Sequence, residues 1–161
     1  MAGLAKVCAV AELEDGVRVF IENEAGSRLK NIYDDRSLVL RRTVEVSRAY
    51  PYPYGFVIGT RSGDGDCVDC FVITATALPS GTTIDCDIAG LLEQVEDGEV
   101  DHKVLAVPAG ESTTLDAAVV ATLREFVTGV FAHVPGKRME IGPLRGPDAA
   151  AAYLRACAEA P

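Results

Sequence analysis

The chain alternates short apolar runs with polar turns over most of its length, which predicts strands. Residues 16–22 alternate apolar and polar positions with a period of two, as a half-buried strand does. The β-prone runs 29–33 and 38–41 flank Asp34-Asp35, and this arrangement predicts a β-hairpin. Residues 50–55 contain two prolines, which exclude a helix and predict a rigid, tyrosine-rich loop.

Two acidic segments, residues 64–69 and 96–103, each precede an apolar run. Residues 67–75 predict a buried strand, and residues 104–107 predict another. Between them, a Pro-Ser-Gly turn is followed by a further strand that begins at residue 82 and reaches about residue 92. The chain thus repeats one arrangement, an acidic turn beside a strand.

From Leu115 onward the apolar positions are spaced for one face of a helix. Residues 136–141 predict a short strand, and Asp148 is the predicted N-cap of an alanine-rich helix that ends near residue 158. Several strands followed by helices predict an α+β fold, a small closed β-barrel with flanking C-terminal helices. We expect a single domain over residues 1–161.

Composition narrows the classes of function. A chain of 161 residues with 48% apolar content suits one globular domain, and a net charge of −9 argues against nucleic-acid binding. Because the protein and a phosphate group are both negatively charged, we expect metal ions to bridge any phosphate-bearing ligand to this protein. Residues 1–11 have neither a basic n-region nor a long apolar core, so we expect no signal peptide, no membrane span and a cytoplasmic location.

Cysteine and histidine usage favours neither a disulfide framework nor a zinc site. The five cysteines are odd in number and irregularly spaced, which favours reduced thiols. Cys67 and Cys70 form a C-x-x-C pair, but no second pair follows, and we interpret the spacing as coincidence. His102 and His133 each lack a second imidazole nearby in sequence, so we do not expect either to be a metal ligand.

The segment Asp64-Gly65-Asp66-Cys67-Val68-Asp69 places three carboxylates within six residues. Two such charges a few Å apart repel by on the order of 3 kcal/mol at an effective dielectric near 20, which favours a bound cation. Hard oxygen donors favour Mg²⁺, Mn²⁺ or Ca²⁺ over zinc. An EF-hand loop is excluded, because Asp69 and Ala75 stand where it needs glycine and glutamate. A solvated acidic turn remains the alternative.

Three ordered motifs carry a resemblance to a known family. Residues 50–56 read YPYPYGF, residues 64–69 read DGDCVD, and residues 98–108 read GEVDHKVLAVP. This order resembles the soluble family I inorganic pyrophosphatases, whose signature is D-x-D-P-x-D after Y-P-x-N-Y-G-F, with D-x-K-x-x-A-V-P further on. The resemblance covers residues 17–108 well and the remainder weakly.

The resemblance implies a five-stranded oligonucleotide-binding-type barrel, assembled as a homohexamer, that hydrolyses diphosphate with two or more Mg²⁺ ions, Mn²⁺ being a possible substitute. It assigns Asp66 to orienting or deprotonating the attacking water. Metal ions and phosphate oxygens would be bound by the following residues: Asp64, Asp69 and Asp101, with Glu96 and Glu22, for the metals, and Lys30, Arg42, Tyr54 and Lys103 for the phosphates.

The chain also departs from the family pattern. Ile32 stands where a glutamate is expected, and Cys67 stands where the signature has proline. Counting back from Gly136, Val130 and Phe131 replace a Tyr-Lys pair that grips one phosphate. Each lost charged hydrogen bond costs about 1.5–3 kcal/mol, so this substrate subsite has become apolar and weaker. In a shifted register, Lys137 or Arg138 reaches the site instead.

Three functional hypotheses remain open at this point. The first is an active Mg²⁺-dependent inorganic pyrophosphatase. The second keeps the fold and metal site but acts on an organic phosphate, an organic diphosphate or another metal-bound substrate in a biosynthetic pathway. The third is a non-catalytic oligomerising homologue, which the retained crowding of like charges disfavours.

Overall fold

A computed structural model describes residues 16–159, so the predictions made for residues 1–11 and for Cys8 lie outside the described residues. Within 16–159 the chain forms nine strands and two helices, in the order β1 Val17–Asn23, β2 Leu29–Tyr33, β3 Leu40–Glu45, β4 Tyr54–Val57, β5 Asp69–Val72, β6 Thr83–Glu96, β7 Glu99–Val100, β8 Lys103–Pro108, α1 Ala117–Gly129, β9 Met139–Arg145 and α2 Pro147–Cys157.

Five strands close into a barrel. Their order is β1, β4, β5, β8 and β6, and the start of β6 pairs back onto β1, from Val17 opposite Cys86 to Phe20 opposite Thr83. Strand β6 is 14 residues long, so its later part continues past the barrel and pairs with β7 and β9. Strands β2 and β3 form a separate hairpin. The predicted α+β fold with a closed five-stranded barrel is confirmed.

Alternate side chains of β5 and β8 enter two different cores. All five barrel strands contribute to the cluster inside the barrel, which helix α2 joins through Ala150 and Leu154. The neighbouring positions, such as Phe71 on β5 and Leu105 on β8, face outward and pack against helix α1. The outer wall of β5 and β8 is therefore a buried surface beneath α1.

The two strands that follow the acidic segments are neighbours. Strands β5 and β8 pair in parallel, with Cys70 opposite Val104. Asp69 and Lys103 each precede that pair by one residue, so the pairing brings them side by side at the same end of the barrel. The acidic turn and strand that occur twice in the sequence are therefore neighbours in the fold, where β5 and β8 begin side by side.

Several predicted boundaries shift. The expected loop over residues 50–55 ends early, since Tyr54 and Gly55 belong to β4. Gly55 is needed there, because a Cβ at this position would lie 1.7 Å from the carbonyl oxygen of Phe20 on β1. The hairpin turn is longer than expected, and β3 begins at Leu40 after Leu38, whose φ is +58°.

The predicted cap of the last helix is wrong. Helix α2 begins two positions earlier than expected, with Gly146 as N-cap and Pro147 at the first helical position. Proline suits that position because its φ is helical and its missing N–H would have no partner. Asp148 lies within the first turn, where its charge complements the helix dipole. No helix within residues 16–159 is long and apolar enough to cross a membrane.

Candidate active site

A pocket of about 380 Å³ opens on the outer wall of the barrel, between the β2–β3 hairpin, the C-terminal end of α1 and the segment that follows it. The structure brings every predicted site residue to this pocket. Its lining includes Glu22, Lys30, Ile32, Arg42, Tyr54, Asp64, Asp66, Asp69, Glu96, Asp101, Lys103, Val130 and Phe131.

Lys103 is the centre of the hydrogen-bond network. Its Nζ donates to Asp69 Oδ2 at 2.6 Å, to Asp101 Oδ2 at 3.0 Å and to the Tyr54 hydroxyl at 3.1 Å. Burial alone would lower the pKa of Lys103, but Asp69 and Asp101 raise it above its ordinary value. Lys103 is therefore an ammonium ion that neutralises part of a buried acidic cluster.

The acidic loop, residues 62–66, presents two exposed carboxylates. Its turn depends on Gly65, whose φ is +90°, and on a 2.8 Å hydrogen bond from the Ser62 N–H to the Asp66 carbonyl. Asp64 Oδ1 accepts hydrogen bonds from the Asp66 N–H at 2.9 Å and from the Ser62 hydroxyl. Partial burial and the nearby Asp64 charge raise the pKa of Asp66. Asp66 is thus a stronger proton acceptor than an ordinary aspartate.

Glu22, on β1, faces the β2–β3 hairpin. Its Oε2 accepts a 3.2 Å hydrogen bond from the Tyr33 N–H. Burial, and next the charge of Asp69, raise the pKa of Glu22 to about 8. Without a bound metal ion beside it, the Glu22 carboxyl is largely protonated at neutral pH.

The opposite side of the pocket is cationic and aromatic. Phe131 is half-buried, and its ring carries Lys30 Nζ at 5.1 Å and Lys137 Nζ at 4.4 Å from the centroid. Lys137 Nζ also lies 2.6 Å from Glu96 Oε1. Val130 is a buried core residue. The subsite predicted to be apolar is therefore flanked by two ammonium groups.

The structure distinguishes the two cations that the sequence left open. Lys137 lines the pocket, whereas the Arg138 side chain is 82% exposed and lies 3.9 Å from Glu140. Sequence reasoning gave no role to Tyr50, which stacks on Tyr54 at 5.3 Å and on Phe126 at 4.7 Å beneath the pocket. Its signal was present, since it begins the YPYPYGF motif. Asp35, Arg41 and Gln94, also unpredicted, line the pocket as well.

His102 and the Cys67–Cys70 pair have contacts within the fold. His102 Nδ1 accepts a 3.0 Å hydrogen bond from the Gln94 N–H, and its ring lies 5.0 Å from that of Tyr153. These contacts give His102 a structural role. Cys67 and Cys70 are buried free thiols, and burial raises the pKa of Cys67 to about 12.

The acidic side chains of the pocket offer carboxylate oxygens, which are the ligands that a hard divalent cation prefers. Among residues 16–159, no three His, Cys, Asp or Glu side chains are grouped closely enough to hold a metal ion. The lysine contacts explain this arrangement, because Lys103 lies against Asp69 and Asp101 and Lys137 lies against Glu96. The two ammonium groups stand in for the positive charge that these acids require.

Fold and site together define a closed five-stranded barrel of the oligonucleotide-binding type with an acidic, lysine-containing pocket on its outer wall. A family model described as inorganic pyrophosphatase matches residues 19–160. The inorganic pyrophosphatase of Geobacillus stearothermophilus is 32% identical over 150 residues, which cover 88% of this chain and 91% of that protein. The chain belongs to the soluble inorganic pyrophosphatase family, as its three motifs predicted.

Solved structures agree with this assignment. The inorganic pyrophosphatase of Thermus thermophilus is similar with a TM-score of 0.78 at 28% identity, covering 89% of each chain. A protein described as an inorganic phosphatase from Anaplasma phagocytophilum gives a TM-score of 0.80 at 26% identity, covering 89% of this chain and 91% of that one.

Proposed function

We propose that this chain hydrolyses inorganic diphosphate to two phosphates in the presence of Mg²⁺, with Mn²⁺ as a possible substitute. The observation that carries the proposal is a single pocket in which carboxylates face cations, in a chain whose relatives are named inorganic pyrophosphatases. Diphosphate needs both sides, one to hold metal ions and one to bind phosphoryl oxygens.

The metal ions would be held by Asp64, Asp69 and Asp101, with Glu96 and Glu22 at the edge of the site. The charge of the pocket supports this assignment, because its lining holds eight Asp and Glu side chains against five Lys and Arg side chains. When bound, divalent ions lower the pKa of a coordinated water and neutralise charge on the phosphates.

Asp66 takes the proton of the attacking water in this mechanism. The water oxygen bonds to one phosphorus, the bridging P–O bond breaks, and the second phosphate leaves with the bridging oxygen. The raised pKa of Asp66 supports this role, since burial and Asp64 make its carboxylate a better base than usual.

The cations and Tyr54 bind phosphoryl oxygens. Burial raises the pKa of Tyr54 well above its ordinary value, so its hydroxyl keeps its proton. Lys103 donates to the Tyr54 oxygen, which leaves the hydroxyl hydrogen free to donate to phosphate. Lys30, Arg42 and Lys137 face the same pocket and would stabilise the transition-state charge.

Phosphate release from diphosphate with Mg²⁺ tests this function, with the native chain compared to Asp66→Asn. We expect kcat to fall about 10²–10⁴-fold in the variant, because loss of a positioned base costs that much. Asp85→Asn is the matched control, since Asp85 is exposed and pairs with Arg18 away from the pocket. Absent release by the native chain, or an unchanged rate in Asp66→Asn, contradicts the proposal.

We also propose that the chain assembles as a homohexamer, as the family resemblance implies. Exposed apolar side chains on the hairpin support self-association, namely Leu29, Val39 and Leu40 at 47%, 60% and 49% exposure. Light scattering after size-exclusion chromatography measures the assembly. A mass near that of one chain contradicts this part of the proposal.

A further inference from the structure

Asp35, in the turn of the β2–β3 hairpin, contacts the end of the acidic loop. Its Oδ2 accepts a 3.0 Å hydrogen bond from the Cys67 N–H and lies 3.1 Å from Arg61 Nη1. The side chains of Asp35 and Arg61 are only 18% and 27% exposed. A partly buried ion pair that also accepts a backbone N–H is more constraining than a surface pair.

Arg61 ties the same carboxylate to the loop itself. Its Nη1 donates to the carbonyl of Gly65, the residue between the two exposed aspartates of the loop, in addition to Asp35. Asp35 and Arg61 thus hold the acidic loop at two backbone points, the Gly65 carbonyl and the Cys67 N–H.

The residues just before the acidic loop are hydrogen-bonded to the end of helix α2 and the residues that follow it. The Arg61 N–H donates to the Cys157 carbonyl at 2.7 Å, and the Glu159 N–H donates to the Gly59 carbonyl at 3.0 Å. Glu159 Oε1 lies 3.4 Å from Arg61 Nη2. The Arg61 side chain therefore projects from a backbone that is itself hydrogen-bonded to residues 157–159.

Cys67 explains why this chain has such a contact. The family signature places proline at this position, where it fixes φ and carries no N–H. With cysteine the backbone gains freedom and gains a donor that is buried and needs a partner. Asp35 supplies the partner, and Arg61 balances the charge of Asp35.

We propose that Asp35 and Arg61 are positioning residues that hold the acidic loop in the shape needed for metal binding, in place of the restraint that proline gives. This inference rests on the proposed function, in which Asp64 binds metal and Asp66 acts on water. Neither Asp35 nor Arg61 touches the reacting atoms in this scheme.

The test combines Mg²⁺ titration calorimetry with amide hydrogen exchange of metal-free protein over residues 62–68. In Asp35→Ala we expect about five- to tenfold weaker Mg²⁺ binding, and about tenfold faster exchange of the Cys67 amide. Asp35→Asn keeps an acceptor for that amide and is expected to lose less affinity. Asp85→Ala removes an equal charge from an exposed pair and serves as control, with affinity within about twofold of native.

Rescue by proline separates positioning from general destabilisation. We expect Cys67→Pro to bind Mg²⁺ within about twofold of native, and the double variant Cys67→Pro with Asp35→Ala to match Cys67→Pro. Native-like affinity in Asp35→Ala overturns the inference, as does a double variant as weak as Asp35→Ala. Where Cys67→Pro does not fold, equal losses in Asp35→Asn and Asp35→Ala overturn it.

These readouts do not require diphosphate. If the native chain binds Mg²⁺ and shows the expected changes but releases no phosphate, the positioning role stands and the proposed function fails. If phosphate release is normal but Asp35→Ala changes neither affinity nor exchange, the function stands and the positioning role fails.

Discussion

The two sides of the pocket differ in how firmly the fold holds them. The acidic side is built on the starts of β5 and β8, where Lys103, Asp69 and Asp101 are linked by bonds of 2.6 and 3.0 Å. On the cationic side, Lys30 and Lys137 lie over Phe131, and Arg42 is exposed on the hairpin. Cation–π contacts at half-exposed sites contribute about 0.5–1 kcal/mol, less than buried charged hydrogen bonds.

The difference explains where the chain departs from its family. Changes among the buried acids leave a charge without a partner, which the barrel cannot absorb. Changes around Phe131 affect side chains that have solvent on one side and can adjust. The buried network of Asp69, Asp101 and Lys103 therefore keeps the family residues. The departures at Ile32, Cys67 and Phe131 leave this network intact.

Lys103→Met breaks the acidic side and has the largest expected effect. Removing one partner of a buried ion pair lowers the free energy of unfolding by about 3–5 kcal/mol. Urea denaturation of metal-free protein measures this, and added Mg²⁺ should restore part of the loss by binding the folded state. Arg18→Met breaks an exposed pair and should change stability by less than about 0.5 kcal/mol. Equal losses in both variants contradict the comparison.

The pH dependence of stability comes next. Burial raises the pKa of Glu22 from its ordinary value of 4.5 to about 8 in the folded chain, so between these pH values the folded state binds a proton that the unfolded chain releases. The contribution of Glu22 to the free energy of unfolding is fully present below about pH 4.5. It is lost as the pH rises to about 8, and the loss amounts to a few kcal/mol. Thermal unfolding of metal-free protein at pH 5 and pH 8.5 measures this loss. Glu22→Gln should flatten the dependence, and an unchanged slope contradicts the assignment.

Lys137→Gln tests the cationic side. We expect KM for diphosphate to rise about 10–100-fold with a smaller change in kcat, because one charged hydrogen bond to phosphate is lost. The adjacent Arg138→Gln is the matched control, since Arg138 points to solvent, and its KM should stay within about twofold of native. A larger effect in Arg138→Gln shows that the other register is the functional one.

Phe131→Lys changes the cationic side of the pocket and has the smallest expected effect. The variant restores the lysine of the family pattern beside Lys137, so KM for diphosphate should fall about fivefold. Phe131→Leu controls for loss of the ring. An increase of KM in Phe131→Lys indicates that crowding with Lys30 and Lys137 outweighs the added phosphate contact.

The barrel and the acidic side followed from local sequence signals. Acidic segments directly before apolar runs predicted the carboxylates, and the parallel pairing of β5 with β8 brings the two segments together. Other features depended on contacts that no local pattern encodes. Asp35 and Arg61 are 26 residues apart, in a turn and a loop without periodicity. Lys137 and Arg138 are adjacent, and only the path of the chain into β9 decides which one faces the pocket.

The central claim is that the altered cationic side still serves inorganic diphosphate. The most direct measurement is kcat/KM of the native chain, with Mg²⁺, for inorganic diphosphate, a nucleoside diphosphate and an aryl monophosphate. We predict that inorganic diphosphate is preferred by at least about a hundredfold, because Lys30, Arg42 and Lys137 line the pocket and favour the ligand with a second charged phosphate over one with an organic group. A preference for either organic substrate contradicts the claim.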